Sequence, residues 1–228
     1  MDKGVSLVEL MISLTISTII ILAVYSMYSL FSKGYLDSRD HWYCMQSLRN
    51  ALIQIDSDLK QCAFLLPQDL KIAPREGSLF IAGAPVTSSY PGLNVHGKYP
   101  PPYYSVIQSS TDSGITLDTI DVDYNNTADY RADLGIITDS GPYVISHGYS
   151  EGNMLVSLTT PPTVKAGDRS VPSVHYELKK DGLYRNAQLL AEAITAFDST
   201  VTGKTVTILL TARHNGEEKS TSYRYELR

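Results

Sequence analysis

Three observations predict an α+β chain in which a long N-terminal helix packs on an antiparallel β-sheet domain. From Leu10 to Phe31 there is no charge, proline or glycine, so one helix can run unbroken through the segment. Apolar residues then recur at alternating spacings of three and four as far as Leu66, and the next proline is Pro67. Beyond it the pattern changes to short β-prone runs separated by turn residues. The predicted division is a leader at 1–4, a membrane-length helix at 5–31, its amphipathic continuation at 32–66 and a β-rich domain at 67–228.

The apolar run spans about 33 Å as a helix, the thickness of a bilayer's hydrocarbon core. Before it lies a tiny segment, Met1-Asp2-Lys3-Gly4, whose single Lys favours the cytoplasmic side. No small-x-small cleavage site follows the run, unlike a secretory signal peptide. Glu9 stands out, because an ionised carboxylate in apolar surroundings costs at least a few kcal/mol unless it is partnered.

Gly4, an apolar residue and then Ser6-Leu7-Val8-Glu9-Leu10 resemble the class III signal of type IV pilins and pseudopilins. The resemblance implies cleavage by prepilin peptidase between Gly4 and Val5, N-methylation of Val5 and retention of the hydrophobic helix. The chain has Val5 where the family usually has Phe. A glycine before the cut lets a protease approach the backbone closely. Glu9 would pair with the amine of Val5 in a neighbouring subunit, each group offsetting the other's cost in an apolar fibre core. The plainer alternative is a transmembrane anchor whose Glu snorkels at the interface.

In the second half of the helix, Met45, Leu48, Leu52, Ile55, Leu59, Cys62 and Leu66 fall on one face, which is expected to pack on the sheet. Gly34 and Asp37-Ser38-Arg39-Asp40-His41 mark the exit from the membrane. Leu48, Ile55, Asp58-Leu59-Lys60 and Gln61-Cys62-Ala63-Phe64 resemble the same region of PilW-type minor pilins, and J-type pseudopilins of type II secretion have a similar stretch. Leu117 to Tyr124, and Leu183-Tyr184-Arg185-Asn186 with Leu189-Leu190-Ala191-Glu192, resemble the PilW-type pattern as well. Cys44 and Cys62 lie about 27 Å apart along a continuous helix, too far for an intramolecular disulfide, and are expected as two buried thiols, with an intermolecular bond as the alternative.

In the β region, Ser78–Ala82 is expected as a first strand after the turn-like Pro74-Arg75-Glu76-Gly77. Gly83 to Ser105, with Tyr99-Pro100-Pro101-Pro102-Tyr103-Tyr104, reads as a long loop, either an adhesive surface or a cover for a sheet edge. Thr119–Tyr124 alternates like a strand. Its acidic surroundings, Asp118, Asp121, Asp123 and Asp129, make a weak calcium candidate without the EF-hand spacing. Val174–Leu178 and Leu183-Tyr184 flank a hairpin signal ending in Asp181-Gly182, and Thr205–Ala212 and Ser220–Leu227 flank Asn215-Gly216.

Composition excludes several classes of function. With 43% apolar and 19% charged residues and a net charge of −5, the chain is an ordinary globular protein plus one membrane segment. Its basic residues are scattered, so nucleic acid is not an expected partner. Gly148-Tyr149-Ser150-Glu151-Gly152 fits G-x-S-x-G, yet a β-prone run follows where a nucleophile elbow needs a helix. The five His are dispersed and no phosphate loop or dinucleotide fingerprint appears, so neither catalysis nor a cofactor is expected.

The resemblance implies a minor pilin that waits in the bacterial inner membrane with its domain outside the cytoplasm and then enters a pilus fibre. Its implied partners are prepilin peptidase, other minor and major pilins and the inner-membrane assembly platform. The alternative is a J-type minor pseudopilin of a type II secretion system, and behind it a membrane-anchored exported hydrolase using Ser150.

Overall fold

The computed structural model describes residues 7–62, 66–83, 104–122, 128–148 and 154–227. One helix, α1 (Leu7–Gln61), runs for 55 residues, about 82 Å. Around its outer part the described residues form thirteen strands: β1 (Ile72–Arg75), β2 (Ser78–Ile81), β3 (Ser105–Thr111), β4 (Gly114–Leu117), β5 (Gly135–Thr138), β6 (Gly141–His147), β7 (Leu155–Leu158), β8 (Arg169–Lys179), β9 (Gly182–Arg185), β10 (Gln188–Glu192), β11 (Ile194–Thr202), β12 (Thr205–His214) and β13 (Glu217–Glu226). The architecture is α+β, a long helix on antiparallel sheets.

Turn chemistry fixes the C-terminal strands. Asn215 and Gly216 both have positive φ, the two-residue hairpin geometry that Asn-Gly favours, and they join β12 to β13 with His214 opposite Glu217. Gly203 has φ +60° and opens the two-residue turn between β11 and β12. These three strands make one sheet, in order β11-β12-β13. The hairpin of β8 and β9 turns on Lys180-Asp181 rather than Asp181-Gly182, since Lys179 pairs with Gly182. A Cβ on Gly182, at φ +146°, would strike the Ala191 carbonyl.

The eleven-residue β8 organises the remainder. Its C-terminal half pairs with β2 and β9, giving β1-β2-β8-β9-β10. Its N-terminal half pairs with both β3 and β5, and β3-β4-β7-β6-β5 then returns to β8, closing a six-stranded ring. At the meeting point the buried Tyr130 hydroxyl donates to Ser105 Oγ at 2.9 Å and lies 3.1 Å from the Ser170 carbonyl. Burial pushes its pKa well above the usual phenol range despite these bonds.

Three apolar clusters result. The largest joins α1 (Cys44, Leu48, Ala51, Ile55, Leu59) to the inner residues of both sheets, among them Tyr176, Leu183, Ile208 and Leu210. A second fills the ring, with Ile107, Ile115, Ile136, Ile145 and Val156. A third, including Leu66, Leu70, Phe80 and Val171, seals the joint between ring and helix-bearing sheet.

Several expectations need correction. The helix ends at Gln61, not Leu66, and Cys62 already bridges to Gly83 in an isolated β pairing. The buried face of α1 comprises Asp40, Cys44, Ser47, Leu48, Ala51, Ile55, Asp58 and Leu59. Met45 is therefore 48% exposed and Leu52 half-buried, while Leu66 is buried in the joint cluster. Cys44 is buried as a thiol, but Cys62 is only half-buried, its thiol 3.5 Å from the Lys71 carbonyl.

Thr119–Val122 is not a strand. The Asp118 carboxylate accepts from Val106 N–H at 2.7 Å, Asp129 accepts from Val122 N–H at 2.7 Å, and Thr119 Oγ1 accepts from Asp121 N–H at 3.2 Å. Local side-chain bonds have replaced a ladder. Asp118 and Asp129 thus serve backbone amides in different places, and no group of three or more metal-ligating side chains occurs among the described residues. Ser105, expected at a loop end, begins β3. Residues 84–103 of that loop, Asp123, Ser150 and the segment around each lie outside the described residues. What flanks Ser150 is β6 and β7, an antiparallel pair and not a strand followed by a helix.

Candidate assembly element

The membrane half of α1 stands out from the described part of the domain. From Leu7 to Arg39 no residue is buried, and Leu7, Leu10, Leu14, Ile21, Leu30 and Phe31 present most of their surface outward. The segment is long and apolar enough to cross a membrane. Four of its hydroxyls bond back inside the helix: Thr15 donates to the Met11 and Ile12 carbonyls, Ser17 to Ser13, Thr18 to Leu14 and Ser26 to Leu22, at 2.8–3.1 Å. Polar residues so paired can enter hydrocarbon or a fibre core at little cost. Glu9 lies in the first described turn, where a carboxylate suits the positive end of the helix dipole. Gly4 and Val5, named for processing, lie outside the described residues.

Where α1 reaches the domain, charged contacts take over. Asp40 accepts from Arg39 at 3.0 Å, and His214 of β12 stands 3.8 Å away. Desolvation raises the Asp40 carboxyl, but hydrogen bonds from Arg39 and Asn215 outweigh it and hold the carboxyl below its usual range. His41 Nδ1 is 3.2 Å from Glu217 Oε1, Tyr43 bonds Glu192, and Tyr43 packs on the His214 ring at 4.4 Å. The Cys44 thiol, its pKa pushed up by burial, reaches the Glu217 carbonyl.

The far end of α1 is clamped by a buried ion pair that sequence reasoning missed. Asp58, 4% exposed, accepts from Arg185 Nε at 2.8 Å and Nη2 at 3.0 Å, from Tyr176 Oη at 2.5 Å and from Gln54 Nε2 at 3.1 Å. Helix, β8 and β9 thus meet on one carboxylate. Burial, with Asp58 beside it, pushes the Tyr176 phenol far above its usual pKa, and the Asp58 hydrogen bonds raise that of Arg185. Asp58 was legible only as one residue of an Asp-Leu-Lys resemblance, because Tyr176 and Arg185 lie more than a hundred residues away. Two residues earlier, Asp56 accepts from Lys60 at 2.6 Å and from Tyr223 Oη at 2.5 Å.

The result is a helix gripped over its last 22 residues and free before them. Leu48, Ile55 and Leu59 of the expected packing face are in the grip, and Met45 lies on its exposed flank. The arrangement can present one long rigid apolar helix to a membrane or to other helices while the domain stays fixed to its outer end.

Residues 1–25 match the family model described as a prokaryotic N-terminal methylation motif. No curated protein and no solved structure matches the chain. The motif supports a type IV pilin-like or pseudopilin chain, membrane-anchored through one helix and processed by prepilin peptidase.

Proposed function

We propose that the chain is a minor pilin of the PilW type, cut between Gly4 and Val5, methylated on Val5 and carried by its helix from the inner membrane into a type IV pilus. There it would help start assembly beside other minor pilins, near the tip, in support of adhesion and twitching motility. Its partners would be prepilin peptidase, minor and major pilins and the assembly platform. The observation that carries this reading is the methylation motif on a helix whose first 33 described residues have no place in their own domain. Glu9 is the assembly residue, pairing with the Val5 amine of a neighbour, and no catalytic step is assigned.

The test is the intact mass of the protein from cells with an active prepilin peptidase. Loss of residues 1–4 and one added methyl group on Val5 are expected; retention of Met1-Asp2-Lys3-Gly4 overturns the reading. Glu9→Ala should then leave processing intact and abolish entry into fibres. A deletion strain separates pilus from secretion: lost piliation fits the proposal, whereas lost protein export with normal pili reassigns the chain to a type II secretion system.

A further inference from the structure

β13 is the open edge of its sheet. Among the described residues it pairs only with β12, for ten residues, and the ladder has no bulge and β13 no proline. Edges of such length are normally interrupted or covered, because unpaired N–H and C=O groups invite another strand. The Asn215-Gly216 hairpin sets which groups are free. Glu217, Lys219, Thr221, Tyr223 and Tyr225 direct their backbone groups to β12, so those of Glu218, Ser220, Ser222, Arg224 and Glu226 point away from it.

A groove runs beside this edge. Trp42, Met45, Leu52 and Ile53 of α1 form one wall and Lys219–Thr221 of β13 the other, around a volume of about 830 Å³. Trp42 and Ile53 are 65% and 57% exposed, which makes this an apolar strip outside the membrane span. Arg49, exposed in the same wall, has no ion pair among the described residues.

We propose that the β13 edge and this groove form a strand-acceptor site. The occupant is an extended segment of a different polypeptide, with apolar residues at alternate positions toward Trp42, Met45 and Ile53 and a carboxylate opposite Arg49. A strand is favoured because it alone pairs the free backbone groups and, at a period of two, sends every second side chain to the helix wall. A second copy of this chain fits poorly. Helix and strand run in the same direction, since His41 and Cys44 meet Glu217 and Asp56 meets Tyr223. Antiparallel pairing of two β13 edges would point the two membrane helices in opposite directions. The site does not depend on which assembly the chain serves.

The test uses the full chain in its native membrane with a photo-cross-linking residue placed, one variant at a time, at Ser220, Ser222, Arg224 and Trp42. A strand predicts adducts from 220, 222 and 224 that map to one segment of one partner in steps of two residues, with Trp42 reaching the same segment. Ser222→Pro removes an outward N–H and no bond to β12, so it should abolish the adducts while the purified protein melts at an unchanged temperature. Arg49→Glu should weaken them. Steps of three to four, adducts from Trp42 alone, an adduct of this chain with itself, or no adduct at any site would each overturn the proposal.

Discussion

At the residue scale, Asp58 shows how much depends on one buried charge. Its carboxylate is held by Arg185, Tyr176 and Gln54, so removing the cation leaves a desolvated anion with neutral donors only. Arg185→Met should therefore destabilise the domain by about 3 kcal/mol, less than a fully buried pair would lose because the guanidinium is partly exposed. Urea unfolding of the two proteins at pH 7 checks it. Neither this pair nor the binding of Val122 N–H by Asp129 was legible in the sequence, because each acidic residue resembles any solvated Asp until the distant chain folds back on it. Asn215-Gly216 was legible, because a positive φ at both turn positions is a local requirement that few residue pairs meet.

Among elements, Leu48, Ile55 and Leu59 of α1 were read correctly as packing on the sheet, while the helix was carried five residues too far and Met45 was wrongly included. Counting only apolar residues brought in Met45, on the flank, and passed over Asp40, Ser47 and Asp58 of the buried face, each polar and matched to a partner far along the chain or tucked against the sheet. The two flanks should respond differently to truncation. Ile55→Ala removes a fully buried side chain and should cost about 2–5 kcal/mol, while Met45→Ala, on the outward flank, should change stability by less than about 0.5 kcal/mol. Thermal melts of both variants in detergent provide the comparison. A large loss for Met45→Ala would place the packing face where apolar periodicity put it.

For the whole molecule, acid sensitivity follows from several carboxylates at once. Hydrogen bonds from Lys60 and Tyr223 lower the Asp56 carboxyl, Arg169 lowers Asp139, and the Ser140 hydroxyl with the Lys165 amide lowers Asp168. His41 and Lys219 lower Glu217. A carboxyl whose folded pKa lies below its unfolded value stabilises the fold at neutral pH, and that contribution is lost as pH falls from about 4 toward the folded value. The urea midpoint should thus hold between pH 7 and 5 and fall steeply below pH 4. The closed ring, by contrast, was invisible in the sequence: pairing β5 and β3 to the same stretch of β8 is a long-range event with no local signature.

The position of that ring has a further meaning. Ile81 of β2 lies directly across the ladder from Val174 of β8, so the chain leaves the helix-bearing sheet and rejoins it at adjacent points. The ring grows as a side branch from what would otherwise be a simple hairpin. Changes within it need not shift the register of any strand that faces α1. The sheet that holds α1 and the ring that branches from it can therefore be altered separately.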